Sequence, residues 1–345
     1  MEQQKVNLTL LDSEELNRFY EEKFYFSYSG INKLLYSPRL FYNHYILKQK
    51  EDSTDAHLVA GRAVHCLLLE PDNFDDYFVL LPGKIPTDSN KVIIDHIFNN
   101  NYLPMQNNSL TLDDFPQEIL GQLLVNNLYQ SLKTDTQRLE KILTDSNKEY
   151  FDFLKIRETK TVIDSATKQR ADDTVAMILS NDTIKQLLGI GLGDVEGVSV
   201  YNELAVQLDL SDQQFGFKGI IDNVVVDENT KTIFINDLKL TSKPIQDFPD
   251  SVDYYRYDIQ SMIYRGLVFD KFLRHRGIEE MTRWQIVFTF VVVDKYNLVY
   301  PYQVSEETTQ EWKMEFGRVL EVIKYHYNNR DYNLPYNLAL GNVKL

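Results

Sequence analysis

Residues 219–239 read Gly-Ile-Ile-Asp-Asn-Val-Val-Val-Asp-Glu-Asn-Thr-Lys-Thr-Ile-Phe-Ile-Asn-Asp-Leu-Lys. Two runs rich in Val, Ile and Phe flank the polar group Asp227 to Lys231, the pattern of a β-hairpin. Each run carries an acid where a buried strand should carry none: Asp222 in the first and Asp237 in the second, with Lys239 two residues further on. Strand side chains alternate with period two, so Asp237 and Lys239 point to one face, roughly 7 Å apart along the strand. Asp222 joins that face when the numbers of paired residues add to an odd sum. Pairing Asp227 with Thr232 does this and sets Asp222 directly across from Asp237, with Cβ atoms about 5 Å apart. Pairing Asp227 with Thr230 gives a diagonal pair, still within reach of a shared cation. Two carboxylates this close repel unless positive charge lies between them, and Lys239 alone is a poor neutraliser of both. A hard divalent cation with oxygen ligands is a better one.

The acid-x-Lys triplet is common by itself. It recurs at Glu21-Glu22-Lys23, Glu158-Thr159-Lys160 and Glu311-Trp312-Lys313, in polar or helical contexts where it reads as surface charge. Only Asp237-Leu238-Lys239 ends an apolar strand and follows a second acid on the neighbouring one. Burying two carboxylates and an ammonium costs several kcal/mol unless they are paired or bind a metal, which points to a functional site.

Outward from the hairpin, the chain reads as strands from Gly197. The first is Val198 to Leu208, carrying Glu203; Phe215 to Val226 and Thr232 to Leu240 follow. Residues 252 to 275 have helical spacing with Ile259, Met262, Ile263 and Leu267 on the apolar side, and Arg256, Gln260 and Tyr264, spaced by four, on another face. Trp284 to Val293 and Leu298 to Val304 read as two more strands, and Glu306 to Tyr327 as a closing helix. Upstream, Ser29 is the expected cap of a helix through Leu35, and Pro38 opens a second short helix through Tyr45. Phe41, Tyr42 and Tyr45 on it read as core residues in preference to a base-stacking surface. Residues 58 to 69 form an apolar helix containing His65, either a hydrogen-bonded core histidine or, beside the carboxylate hairpin, a metal ligand. Residues 72 to 115 read as irregular with one short helix near Ile93 to Phe98. Residues 117 to 145 and Ser165 to Leu188 show helical periodicity. The expected organisation is a peripheral arm over 1–25 and a single domain over 26–345. Within that domain, 72–195 forms an irregular and helical lobe and 197–304 the sheet core.

The chain has 345 residues, 43% hydrophobic and 25% charged, enough for a substantial core. Its single cysteine, Cys66, excludes a disulfide framework and an iron–sulfur cluster, which needs about four thiolates. No apolar signal core opens the sequence and no run approaches the ~20 residues of a membrane span, so a soluble, cytoplasmic protein without membrane attachment is expected. The net charge of −15 is the wrong sign for wholesale phosphate contact. A local basic groove can coexist with an acidic exterior, and Arg39, Lys48 and Lys50, then Lys168 and Arg170, then Lys239, Lys243 and Arg256 are its candidates.

Asp222 followed by Asp237-Leu238-Lys239 on the next strand resembles the PD-(D/E)xK nuclease superfamily, although Ile221 stands where that name has proline. Gly61-Arg62-Ala63-Val64-His65 resembles the Gly-x-x-x-His helix of its RecB-like branch, and Gln260-Ser-Met-Ile-Tyr264 that branch's Gln-x-x-x-Tyr helix. Ser27, Ser29, Pro38, Phe41 and Tyr42 are similar to its opening segment. The layout, from about Phe26 to Val304, is similar to the exonuclease VIII (RecE-type) subgroup. The resemblance implies an α/β (α+β) fold with a central mixed sheet flanked by helices and an added helical lobe. It implies a Mg²⁺- or Mn²⁺-dependent DNA exonuclease serving recombination or DNA processing in a phage or mobile element, located in the host cytoplasm if phage-encoded. The implied roles are catalysis for Asp222, Asp237, Lys239 and Glu203, and metal ligation for His65, Asp222, Asp237 and the Leu238 carbonyl. Gln260, Tyr264, Arg256 and Arg39 are the implied DNA contacts. Glu203 reads equally as an exposed strand residue. The Gln260 face is implied to orient Lys239 and the scissile strand, with a polar solvent face as its plain alternative. A single-strand annealing protein and self-association are further partners it raises. An endonuclease on the same core, a non-catalytic DNA-binding protein on it, and an unrelated interaction protein remain the alternatives.

Overall fold

The structure, a computed structural model, describes residues 13–49 and 56–341. The chain gathers into two compact units, residues 1–54 with 174–345, and residues 55–173.

The first unit is built on a six-stranded mixed sheet. Its strands are β1 (Phe24–Phe26), β2 (Val198–Asp209), β3 (Phe215–Asp227), β4 (Thr232–Leu240), β5 (Gln285–Val293) and β6 (Val299–Gln303). β3 is the axis. β2 runs antiparallel along one edge of it, from Val198 opposite Asp227 to Asp209 opposite Gly216. The other edge is shared end to end: β1 pairs in parallel with Phe215 to Phe217, and β4 pairs antiparallel with Asn223 to Asp227. Residues 218–222 of β3 lie between the two partners. β5 runs parallel to β4, and β6 closes the sheet.

Five helices matter to this unit: α1 (Tyr28–Tyr36), α2 (Asp182–Leu187), α3 (Phe248–Tyr255), α4 (Tyr257–Phe272) and α5 (Glu306–Asn329). The sheet core is buried against α4 and α5 through Ile259, Ile263, Leu267, Val319 and Ile323. Two glycines set how closely β3 is approached. A Cβ on Gly219 would stand 2.7 Å from Cε1 of Tyr264, and one on Gly216 would stand 2.4 Å from the Leu208 carbonyl oxygen. Such contacts do not occur, so the missing side chains are what let α4 and β2 seat. Phe41 and Tyr42 are buried in the same core, as their reading as core residues requires. The stretch read as a peripheral arm contributes, from Ser13 onward, a helix (Ser13–Phe19) and β1, with Phe19 and Tyr20 packed on the core.

Several local expectations are corrected. Ser27, not Ser29, caps α1, its hydroxyl accepting the Gly30 N–H at 3.3 Å. Ser27 has the extended backbone a cap needs, while Ser29 is already helical. The helix expected over 252–275 is two, α3 and α4, broken at Arg256 in the left-handed conformation (φ 56°). Arg256 therefore lies at a junction and not on one helical face with Gln260 and Tyr264. The stretch 117–145 is likewise two helices, Pro116–Val125 and Asp135–Ile142, each with its own start signal: Pro at the first turn of one, and a Thr134–Gln137 capping box on the other.

The second unit is mainly helical. Helices Asp88–Ile97, Pro116–Val125, Asp135–Ile142 and Asp145–Ile156 enclose a core of Ile93, Ile97, Phe115, Ile119, Leu123 and Phe151. A two-stranded parallel pair, Phe78–Leu80 with Thr161–Ile163, belongs to it. The helix near Ile93 starts five residues earlier than expected, at Asp88. Helix Ala56–Leu69 carries His65 between buried Val64 and Cys66. No helix among the described residues is long and apolar enough to cross a membrane.

Candidate active site

The β3–β4 register is the first of the two alternatives: Asp227 pairs with Thr232, Val226 with Ile233, and so on to Asn223 with Asn236. The next residues in that register are Asp222 and Asp237, and there the backbone ladder stops. The Leu238 N–H instead donates to Asp222 Oδ2 at 2.7 Å. A side-chain carboxylate thus replaces a backbone carbonyl as acceptor, so the strand can part from its neighbour without orphaning a donor.

Strict alternation does not run through this point. Leu204, Val206 and Leu208 on β2, with Phe217, Gly219 and Ile221 opposite them, turn toward the core and α4; a Cβ on Gly266 would lie 3.8 Å from Leu208. Beyond the acids the inward residues are Tyr201 and Val224, with Tyr201 5.3 Å from the Phe272 ring of α4. The step from 204 to 201 and from 221 to 224 is three residues, not two. Glu203 makes the turn on β2, with φ 45°, a conformation that costs on the order of 1–3 kcal/mol outside glycine. Glu203 and Asp222 occupy opposite positions at this inversion and offer carboxylate oxygens within 4.8 Å of one another.

Asp237 is completely buried. Its Oδ1 accepts from Gln260 Nε2 at 2.8 Å, and its Oδ2 meets Lys239 Nζ at 2.5 Å. The Lys239 side chain is 18% exposed, and its ammonium lies 4.7 Å from the centre of the Tyr257 ring. Burial pulls the Lys239 pKa down, but the charges of Asp237 and Asp222 outweigh it and hold the group above its ordinary value. Lys239 is therefore a cation in this site. Tyr264 donates to the Ile220 carbonyl at 2.7 Å, filling the gap on the β3 edge. Burial, reinforced by Asp237 and Asp222, pushes its phenol far up, so it stays a neutral donor. Gln260 and Tyr264 are buried, not on a solvent face, and turn their polar atoms onto the acid-bearing strands.

Arg256 makes a bidentate pair with Asp258 at 3.0 Å on both arms. Arg39 lies with its guanidinium 5.5 Å from the centre of the Tyr42 ring. His65 belongs to the other unit. A cavity of about 730 Å³ is lined among others by Ser27, Ser29, Gln207, Lys218, Ile220 and Tyr264. Ile220 is 56% exposed there.

Six residues in three groups were not singled out from sequence. Tyr257 covers Lys239, and its phenol is pushed up by burial against the opposing charge of Lys239. Tyr28 and Asn32 of α1 both donate to the Tyr255 carbonyl at the end of α3, next to the Arg256 junction. Asn202, Asn223 and Asn236 each adjoin an acid in sequence, a signal visible only once the three strands are aligned.

A family model of the PD-(D/E)XK nuclease superfamily matches residues 25–332. No curated protein matches the chain in sequence. Solved structures do match it. One is the crystal structure of a Eubacterium rectale protein provisionally named an exonuclease. It is 14% identical, covers 91% of this chain and 86% of its own, and has a TM-score of 0.45.

Proposed function

The chain belongs to the PD-(D/E)XK nuclease superfamily, and from that premise we propose that it is a Mg²⁺- or Mn²⁺-dependent DNA exonuclease of the RecE-like subgroup. The observation that carries this reading is the pair Glu203 and Asp222, with oxygens within 4.8 Å, beside a lysine that Asp237 holds as a cation. The donor set fits a hard divalent ion: both groups are carboxylates, and neither is fully buried. Asp222 and Glu203 would hold the ion. His65, Asp237 and the Leu238 carbonyl are further ligands proposed from the sequence resemblance. When bound, such an ion neutralises phosphodiester charge and makes water a competent nucleophile near neutral pH.

The chain's own residues do the rest. Gln260 and Lys239 fix the Asp237 carboxylate from two sides. Asp237 in turn keeps the Lys239 ammonium in place, ready to meet the charge that develops on the phosphoryl oxygens. The cavity beside Ile220 and Lys218 has room for a strand backbone, with Lys218 on its wall as a cation for a neighbouring phosphate; Arg39 is the further DNA contact that the sequence resemblance suggests. The products would carry a 5′-phosphate and a 3′-hydroxyl. Recombination or DNA processing in a phage or mobile element, with a single-strand annealing partner, is the setting this reading suggests.

Digestion of end-labelled linear duplex and covalently closed circular DNA with Mg²⁺, Mn²⁺ or EDTA tests it. Loss of the linear substrate alone, abolished by EDTA, is the expected result. Cleavage of the circle would make the enzyme an endonuclease, and cleavage of neither would leave a non-catalytic DNA-binding protein.

A further inference from the structure

One residue short of the acids, the same three strands carry a row of amides. Asn202 on β2 pairs with Asn223 on β3, and Asn223 with Asn236 on β4. Their side chains are joined in one direction. Asn236 Nδ2 donates to Asn223 Oδ1 at 2.8 Å, and Asn223 Nδ2 donates to Asn202 Oδ1 at 2.8 Å. The second proton of each amide goes to the end of α2: Asn236 to the Leu187 carbonyl at 2.8 Å, Asn223 to the Leu188 carbonyl at 3.0 Å. Asn223 and Asn236 are each 1% exposed. The row thus spends all four of the N–H groups of its two buried amides, two across strands and two on a helix terminus whose carbonyls need donors.

The place of this row gives it meaning. It is the last paired row of β3 with β4; in the next one stand Glu203, Asp222 and Asp237. There the backbone ladder has stopped, Glu203 is in a left-handed conformation, and the strands change which side they turn to the core. Backbone bonds alone do not fix the spacing of the acids at such a point. A cross-strand ladder of side-chain bonds, clamped to α2, does so from one residue away.

We propose that Asn202, Asn223 and Asn236 are positioning residues that set the separation of Glu203, Asp222 and Asp237, and through it the affinity of the acid row for a divalent cation. This rests on the nuclease reading above only for the consequence on turnover; the effect on geometry stands apart from it. Asn223→Leu keeps the approximate shape and removes every bond of the central amide. It is expected to weaken Mn²⁺ binding, measured by calorimetry without DNA, by about tenfold or more, the scale seen when partners that orient metal ligands are lost. Turnover should fall with KM for DNA unchanged. Amide exchange should quicken at Leu238, whose N–H Asp222 holds, and not at Ile233 further down β4.

Asn202 supplies the second arm, because its role in the row is to accept. Asn202→Asp keeps an acceptor and is expected to bind Mn²⁺ and protect Leu238 as wild type does, while Asn202→Leu should lose both in part. If Asn223→Leu does not fold, this pair decides. Wild-type Mn²⁺ affinity and Leu238 exchange in folded Asn223→Leu, or identical behaviour of the two Asn202 variants, would overturn the proposal and leave the row a purely structural clamp. A wild-type protein that binds Mn²⁺ and cleaves nothing would sink the nuclease reading while leaving the positioning result intact.

Discussion

Two adjacent rows of one sheet solve the problem of buried polarity in opposite ways. The amide row, Asn202–Asn223–Asn236, is neutral: Asn223 and Asn236 are buried and Asn202 is exposed, and the cross-strand bonds between them offset much of the cost of burying the two inner amides. The acid row, Glu203–Asp222–Asp237, cannot do this, because carboxylates only accept. It borrows a backbone N–H from Leu238, an amide from Gln260 and a cation from Lys239. Even so, two of its carboxylates are left within 4.8 Å of each other. The amide row needs only the carbonyls at the end of α2 to take its remaining N–H groups, and leaves the Asn236 Oδ1 atom without a partner among the described residues; the acid row, by contrast, calls for another positive charge.

The largest effect is expected where the two rows are made alike. Asp237→Asn preserves shape and gives the acid row an amide, but leaves the Lys239 ammonium without its counter-charge. Removing one partner of a buried pair costs about 3–5 kcal/mol, so urea unfolding should show a loss of that order, and turnover should fall by about 10³-fold. A stability unchanged within 1 kcal/mol, by the same scale, would mean that Lys239 needs no partner here. The converse change, Lys239→Met, removes the cation and keeps its apolar stem. Metal binding and fold should persist while turnover falls by about 10²-fold. Arginine should not restore it, since its planar fork places charge differently. Cleavage at the wild-type rate by Lys239→Met would make the lysine a neutralising charge alone.

His65→Ala tests whether a neutral imidazole adds to the carboxylates. Mn²⁺ affinity is expected to drop by about tenfold, with circular dichroism unchanged. Unchanged affinity would return His65 to a packing role. The smallest effect is expected at Gly219→Ala. The new methyl meets Tyr264, which must shift and loosen its bond to the Ile220 carbonyl. Overpacking of this kind costs about 1–3 kcal/mol, read as a lowered melting temperature, and a neutral result would show that α4 has room to move.

The sequence was most readable where one force dominates. The apolar runs on either side of Asp227 to Lys231 could only be a hairpin, and Asp227 opposite Thr232 was one of two registers considered. The mixed sheet flanked by helices, which the family resemblance implies, is the fold found. Readability fails where a single residue departs from the local pattern. Period two carried Asp222 and Asp237 onto one regular face, but Glu203 in a left-handed conformation turns the strands over, and nothing in a glutamate announces it. Spacing by four put Arg256 with Gln260 and Tyr264, but the chain reverses handedness there and Arg256 closes on Asp258. Taken without the resemblance, Gln260 and Tyr264 make a polar solvent face; they are buried, because their partners come from strands distant in sequence. The amide row shows the same limit: three asparagines spaced by 21 and 13 residues mean nothing until the register aligns them.

The central claim is that the acid row is a divalent cation site with Asp222 at its heart. Calorimetric titration of Mn²⁺ into wild type and Asp222→Ala, without DNA, tests it most directly. The account predicts saturable binding by wild type and an affinity at least about tenfold weaker for the variant, with the fold retained. Equal affinities would contradict it: Asp222 would then be no ligand, and its carboxylate would serve only to hold the Leu238 N–H.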